Sequence, residues 1–415
     1  MKKYGVRRRE TCRICGSSHL EPYLDLGDQP PSNSFISAAE VAGEQRFPLR
    51  VYLCRQCGLS QLLDLVSSED IFDEYAYLSS TSRALCAHYQ GLVDQALALF
   101  SVPEGALCAD IGCNDGIMLN RYPAGRMRLL GIEPSSAGEH ARAAGHQVVQ
   151  EFFDAKLGAR LAREHGRVSL VTSTNVFAHV DDITSFARGV AEWLADDGVW
   201  VIEFPYLVDT VDRLYFDTVY HEHLSYLALT PLARLFAQVG LRAFRVERVE
   251  LGASGPALRL FVCLDGSARA EDASIQAMLS AEADWGITEP QRYHAFAERV
   301  AETRQRILAL LAELKAKGET VAAYCAPAKG NTLLNYLGVG PDDIFAVSEN
   351  NDLKIGKLTP GTHIPVISDQ DLLDSKTGYA LLLAWNYLDF FLAHSDFIKA
   401  GGRFIVPLPE PVIRP

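Results

Sequence analysis

The spacing of apolar and polar positions changes along the chain. Up to about residue 65, short apolar runs such as Tyr23-Leu24 and Val51-Tyr52-Leu53 are separated by turn residues, among them Gly16, Gly27, Pro30, Pro31 and Gly58. So little contiguous apolar surface builds no core of its own and calls for a staple. From about Cys86 the pattern becomes an alternation of helices and strands. A helical run over 92–100 precedes a buried strand at 106–111 that ends in Gly112. Further strands are predicted at 129–133, 169–172 and 198–203, with helical stretches between them, so the sheet is mostly parallel. Segments 242–251 and 257–264 alternate like a closing antiparallel hairpin. A long amphipathic helix follows, with Phe296, Val300, Ile307, Leu311 and Leu314 on one stripe. It leads into a second series: strand 321–325, a helix starting near Ala328, strands 344–347 and 379–384, another helix, and strand 403–406.

This pattern predicts an α/β protein of three parts: an N-terminal metal module at 1–75, a central α/β domain at 76–290 and a C-terminal α/β domain at 291–415. A chain of 415 residues is long enough for all three. Thirty-nine basic against 52 acidic residues give a net charge of −13. That balance argues against a general affinity for nucleic acid or anionic membranes. The apolar stretch 379–393 is broken by Asn386 and Asp389 and is too short to span a bilayer. No apolar signal core follows the basic residues at the N-terminus. The expectation is a cytoplasmic protein with no nucleic-acid or membrane partner. The sequence leaves the oligomeric state open, and a monomer satisfies it.

Four of the nine cysteines form two C-x-x-C-G units, Cys12/Cys15 with Gly16 and Cys54/Cys57 with Gly58. In a reducing compartment such pairs point to metal rather than disulfides. Two knuckles make a closed four-sulfur shell with no open position, the pattern of structural zinc. A zinc ribbon reading nucleic acid is the competing function, but Arg13 and Arg55 alone make a poor basic stripe.

The turn after the first strand of the central domain carries Asp110, Gly112, Asn114 and Gly116. Its glycines permit close backbone approach to a ligand, and the spacing departs from the dinucleotide fingerprint. Glu133 ends the next strand, where a carboxylate can accept both hydroxyls of a ribose. Phe153, within Glu151-Phe152-Phe153-Asp154, offers a face to a purine. A Gly-rich turn, a ribose acid and an adenine platform without a phosphate-binding lysine suit S-adenosylmethionine better than ATP or NAD. Asn175, at the end of a later strand, is grouped with these cofactor residues.

Tyr220-His221-Glu222-His223 is the densest cluster of polar and titratable groups. On an extended segment His221 and His223 would share a face; on a turn, Glu222 and His223 could both face a cleft. A purely structural hydrogen-bond cluster is the alternative. In the C-terminal domain, residues 324–332 run from a strand into a helix. There Lys329, Asn331, small residues and free helical N–H groups form a candidate anion site.

The ordered set of segments resembles the sugar C-3-methyltransferases of deoxysugar pathways, over nearly the whole chain. The likeness rests on both C-x-x-C pairs and on segments 75–80 (Tyr-Ala-Tyr-Leu-Ser-Ser), 110–119 (Asp-Ile-Gly-Cys-Asn-Asp-Gly-Ile-Met-Leu) and 131–136 (Gly-Ile-Glu-Pro-Ser-Ser). It continues through 175–180 (Asn-Val-Phe-Ala-His-Val), 216–224 (Phe-Asp-Thr-Val-Tyr-His-Glu-His-Leu) and 360–365 (Pro-Gly-Thr-His-Ile-Pro). The resemblance implies a zinc-binding N-terminal domain, a Rossmann-like methyltransferase domain, a Rossmann-like C-terminal domain and an active site in the cleft between them. It further implies S-adenosylmethionine as donor and a nucleotide-linked 4-keto-deoxysugar as substrate. Methylation at C-3 is expected, although C-5 is also attacked within the family.

Carbon methylation needs a carbanion, and a sugar C–H is acidic only beside a ketone. A base must remove that proton and the enolate must be stabilised. The resemblance makes His223 the base and Glu222 its partner, with Tyr220, Tyr77 and His179 among the polar groups of the site. Cys325 stands where relatives often carry Gly, and Glu349 where they commonly carry Asp. Two rival readings are an O- or N-methyltransferase, which needs no carbanion, and a zinc-ribbon binding protein with two catalytically silent Rossmann units.

Overall fold

Each C-x-x-C-G unit closes on itself: Gly16 N donates to the Cys12 carbonyl and Gly58 N to the Cys54 carbonyl. In the computed structural model, which describes residues 4–67, 70–71, 78–252 and 255–415, these knuckles cap a small antiparallel sheet. The N-terminal strands are β1 (Val6–Arg8), β2 (Leu20–Gln29), β3 (Phe47–Cys54), β4 (Ser60–Leu62) and β5 (Asp64–Val66). β2, β3 and β4 pair in order, and β1 pairs with β5.

The central segment runs α1 (Arg83–Phe100), β6 (Leu107–Ile111), β7 (Arg128–Ile132), α2 (Gly138–Ala143), β8 (Gln147–Val149), α3 (Ala155–His165), β9 (Val168–Thr174) and α4 (Ile183–Trp193). It continues through β10 (Leu194–Pro205), α5 (Leu207–Asp212), β11 (Ser225–Tyr226), α6 (Leu229–Gln238), β12 (Leu241–Gly252) and β13 (Gly255–Leu264). Its sheet has the order β12-β13-β10-β9-β6-β7-β8, with β6 to β10 parallel and the last hairpin antiparallel. β9 and β10 are buried along almost their whole length, as central parallel strands must be. Trp200 anchors the core beneath them, its ring 5.3 Å from Phe177 and 5.8 Å from both Phe186 and Phe236. The short strand β11 leaves this sheet and adds to β4 of the N-terminal one.

After α7 (Ala273–Trp285), the 27-residue helix α8 (Pro290–Ala316) buries Phe296, Val300, Ile307, Leu311 and Leu314, the stripe expected from the sequence. At roughly 40 Å it reaches all three parts. Tyr293 packs 4.8 Å from Tyr23 of β2, Arg299 donates to the carbonyls of Val211 and Asp212, and Arg304 donates to those of Tyr336 and Leu337.

The C-terminal elements are β14 (Val321–Tyr324), α9 (Ala328–Leu337), β15 (Val347–Glu349), β16 (Val366–Ser368), α10 (Asp369–Ser375), β17 (Tyr379–Leu382), α11 (Leu388–His394), α12 (Asp396–Lys399), β18 (Arg403–Val406) and β19 (Val412–Arg414). Their order is β16-β15-β14-β17-β18-β19, parallel except for β19. Both large sheets therefore reverse direction beside their first strand, between β6 and β9 and between β14 and β17. Ligands of open α/β sheets bind at the carboxyl ends of the strands at such points.

Candidate active site

Those two carboxyl edges open onto one cleft of about 1470 Å³. Ile111, Ile132 and Thr174 mark the ends of β6, β7 and β9 on its wall; Cys325, Glu349 and Ala384 mark the C-terminal sheet; Asn33, Leu65 and Val66 come from the N-terminal module.

On the central side, Gly112 takes φ 76°, and a Cβ there would lie 2.2 Å from Val176 Cγ2, so no side chain fits. Gly112 N and Cys113 N both donate to the Ile132 carbonyl and bind the turn to β7. Asn114 N donates to Glu133 Oε2 at 2.9 Å, while Glu133 Oε1 accepts from the Ser135 amide and hydroxyl at 2.9 and 2.6 Å. Asn175, also left-handed at φ 56°, lines the cleft with its Nδ2 buried near Tyr89. Phe153 reaches the cleft but packs against the Phe186 ring at 5.0 Å, whereas its neighbour Phe152 is 46% exposed there. Asp154 caps α3 by accepting from Leu157 N. Asp110 and Gly116 do not line the cleft. Asp110 lies behind the turn, accepting from Thr172 Oγ1 at 2.7 Å, and burial beside Glu133 pushes its carboxyl up to about 7.

The Tyr220–His223 cluster lies on a turn that follows a short helix, Phe216–Thr218. Glu222 and His223 both line the cleft, and His221 does not. His221 faces the N-terminal module, where Nε2–H donates to the Phe47 carbonyl at 3.3 Å. His223 Nδ1–H donates to the Thr218 carbonyl at 2.8 Å, which leaves the lone pair on Nε2. Burial pulls this imidazole down to about 4, so it is neutral at physiological pH. Its ring lies 4.0 Å from Tyr220 and 4.9 Å from His179, itself held well below the usual histidine range by burial and by His223. Glu222 is 4% exposed; Oε1 accepts from Asn33 Nδ2 at 2.7 Å, and burial pushes the carboxyl up to about 7. Tyr77 lies outside the described residues.

On the C-terminal side, Lys329 is on the cleft wall at the start of α9. Its ammonium donates to Asn386 Oδ1 at 2.5 Å and sits 4.3 Å over the Trp385 ring. Trp385 in turn donates to the buried Asp217 Oδ2 at 2.6 Å. Asn331 is not on the wall: its amide donates to the Ser32 carbonyl at 2.7 Å, tying α9 to the N-terminal module. Cys325 adopts φ 66°, a conformation that favours glycine. Glu349 Oε2 accepts from Ala326 N at 3.1 Å, repeating the way Glu133 holds Asn114 in the other sheet.

Away from the cleft, the sulfurs of Cys12, Cys15, Cys54 and Cys57 lie within 4.8 Å of one another, and none is in a disulfide. The pairs Cys12–Cys57 and Cys15–Cys54 are each 3.5 Å apart. A tetrahedral Zn–S shell with bonds near 2.3 Å has sulfur–sulfur edges of about 3.8 Å, so the four thiols fit zinc.

Three family models match the chain: "Putative zinc binding domain" at 12–72, "Methyltransferase domain" at 86–246 and "C-methyltransferase C-terminal domain" at 252–409. The C-methyltransferase NovU of Streptomyces niveus is 34% identical over 409 residues, 98% of this chain and 97% of that one. The chain belongs to the C-methyltransferase family. It is an S-adenosylmethionine-dependent C-methyltransferase with a zinc-binding N-terminal module. Among solved structures, an S-adenosylmethionine-dependent methyltransferase from Clostridium acetobutylicum overlaps 43% of this chain and 92% of its own, at 10% identity and TM-score 0.34. Magnesium protoporphyrin IX methyltransferase from Synechocystis overlaps 42% and 79%, at 14% identity and TM-score 0.31.

Sequence reasoning missed three residues of this C-methyltransferase that bind the Phe216–His223 segment to its surroundings: Asn33, Asp217 and Trp385. Asn33 follows two prolines and reads as turn. Trp385 lies in an apolar stretch that drew notice only for its length. Neither carries a local chemical signature, because each finds its partner across more than 160 residues. No helix among the described residues is long and apolar enough to cross a membrane.

Proposed function

We propose that this C-methyltransferase acts on a nucleotide-linked 4-keto-deoxysugar, at C-3, through an enolate raised by His223. The observation that carries the reading is the fixed tautomer of His223: a neutral imidazole whose Nδ1–H is donated to the Thr218 carbonyl presents a basic Nε2 in a cleft bounded by two Rossmann-type strand edges. An O- or N-methyltransferase has less use for such a base, since its acceptor already holds a lone pair. The three units at 1–75, 76–290 and 291–415 then divide the work into scaffold, donor binding and nucleotide-sugar binding, in a cytoplasmic enzyme.

S-adenosylmethionine, when bound, supplies an electrophilic methyl group. The residues fit it: Gly112 brings backbone to the cleft wall, Glu133 can accept from ribose hydroxyls, Phe153 flanks the purine, and the Nδ2 of Asn175 offers a donor. Lys329 would meet the diphosphate of the nucleotide sugar, exchanging its bond to Asn386 for charge-assisted bonds. Tyr220 and His179, which flank His223, hydrogen-bond the sugar.

Incubating the enzyme with donor and a panel of 4-keto nucleotide sugars, then fragmenting the products in a mass spectrometer, tests the reading. One added methyl on C-3 is expected. A methyl on oxygen or nitrogen would contradict it, and one on C-5 would move the attacked carbon.

A further inference from the structure

Asn33 and Glu222 are 189 residues apart in sequence and 2.7 Å apart at the cleft wall. The carboxyl oxygen that receives the Asn33 N–H is Oε1, so a proton on this carboxyl resides on Oε2. Oε2 has no hydrogen-bond partner among the described residues. Asn33 is itself held in place: the preceding Ser32 accepts from Asn331 Nδ2 at 2.7 Å, and its hydroxyl shares a hydrogen bond with Thr332. The segment thus joins the zinc-binding module to α9 and to the acid–base turn at once.

We propose that Asn33 is a positioning residue: by donating to Oε1 it orients the Glu222 carboxyl so that the proton of its neutral acid form lies on Oε2 and is donated to the enolate oxygen while His223 takes the α-proton. This rests on the enolate reading above. The substrate C–H bond breaks, its proton goes to His223 Nε2, and its electron pair moves onto the carbonyl oxygen. When the carbon–carbon bond to the transferred methyl forms, the methyl–sulfur bond of the donor breaks with its electron pair left on the departing thioether, the enolate pair makes the new bond, the ketone is restored, and the proton on His223 leaves to solvent. A carboxylate beside the developing oxyanion would repel it; a carboxylic acid stabilises it.

Burial keeps the acid form populated near neutrality, and the Asn33 N–H moderates that rise. The titratable neighbours are His221 and His223 on the same turn and His179 on the helix Phe177–His179, and burial keeps all three neutral. Lys329 and Lys354 are the cations of the opposite, C-terminal wall. Because the working form of Glu222 is the protonated one and that of His223 the neutral one, activity is full between the two pKa values and is lost as pH rises through that of Glu222.

The test is Asn33→Ala in the full-length, zinc-loaded enzyme. Asn33 is exposed within the cleft, so truncation leaves no void in a core. Two readouts are needed: kcat as a function of pH, and the carboxyl-¹³C titration of Glu222, assigned by its loss in Glu222→Gln. Loss of the N–H donor should raise the Glu222 midpoint, carry the high-pH limb of kcat upward with it, and lower kcat about tenfold, with KM changed less. An unmoved midpoint would overturn the proposal. So would an activity that rises with pH through the Glu222 midpoint, because the working form would then be the carboxylate; His223 as base would survive that result. If the midpoint shifts but the wild-type enzyme methylates no carbon, the enolate reading fails and the positioning role falls with it, while the Asn33–Glu222 bond stands.

Discussion

His223→Asn is expected to lose about 100-fold or more of turnover while donor binding is unchanged. The replacement keeps a polar side chain of similar reach but has no basic lone pair to receive a proton. In the native enzyme the Thr218 carbonyl fixes the tautomer, and the rings of Tyr220 and His179 flank the imidazole at 4.0 and 4.9 Å. The loss should therefore fall on kcat rather than on the dissociation constant of S-adenosylmethionine, whose proposed residues lie around the Gly112 turn. The pH dependence follows from burial. With its pKa lowered to about 4, His223 is competent above that value, and kcat/KM should fall as pH drops through it. Steady-state kinetics with calorimetric donor binding checks this. Near-normal turnover would place the base elsewhere, with Tyr220, Glu222 or His179 next in line.

Cys54→Ser should remove the zinc and unfold the N-terminal module. Cys54 is fully buried at the end of β3, and the module's small core cannot replace a four-thiolate shell whose binding energy is folding energy, on the order of 10 kcal/mol in small zinc domains. The damage should reach the active site. Leu62 N, at the end of β4, donates to the carbonyl of Leu224, the residue after His223, and β4 pairs with β11 just beyond it. Metal analysis should find about one zinc per native chain and little in the variant, with a lowered melting temperature and loss of methylation. A metal-free variant that stays folded and active would show that the cluster does not staple the module.

The two βαβ series were legible because buried parallel strands write continuous apolar runs that stop at a glycine or a polar end, as at Ile111-Gly112. The hairpin β12–β13 and the stripe on α8 were legible from periodicity instead, alternation in the first and a helical repeat in the second. β8, β16 and β19 were not predicted. Each has three residues and lies at or near a sheet edge, mostly half-exposed, too short to show a period. β15 begins at Val347 rather than at Ile344. Ile344 is buried, but its amide closes a turn onto the Gly340 carbonyl instead of pairing in a ladder.

The candidate site was legible to a different depth. The residues alone left two geometries open for Tyr220–His223, and the turn, with Glu222 and His223 on the cleft and His221 turned away, is the one found. Asp110, Gly116 and Asn331 stand in motifs that do reach the cleft, but their own side chains or backbone lie behind its wall. A motif marks a loop, and which of its members face the ligand depends on partners such as Thr172 and Ser32 that are distant in sequence.

The most direct measurement of the central claim needs no methyl transfer. Wild-type enzyme is mixed in deuterium oxide with a 4-keto nucleotide sugar and S-adenosylhomocysteine, and the sugar is followed by proton NMR. A base-raised enolate predicts steady loss of the C-3 proton signal as deuterium washes in, much slower in His223→Asn. Retention of every carbon-bound proton, with a substrate the enzyme does methylate, would contradict it.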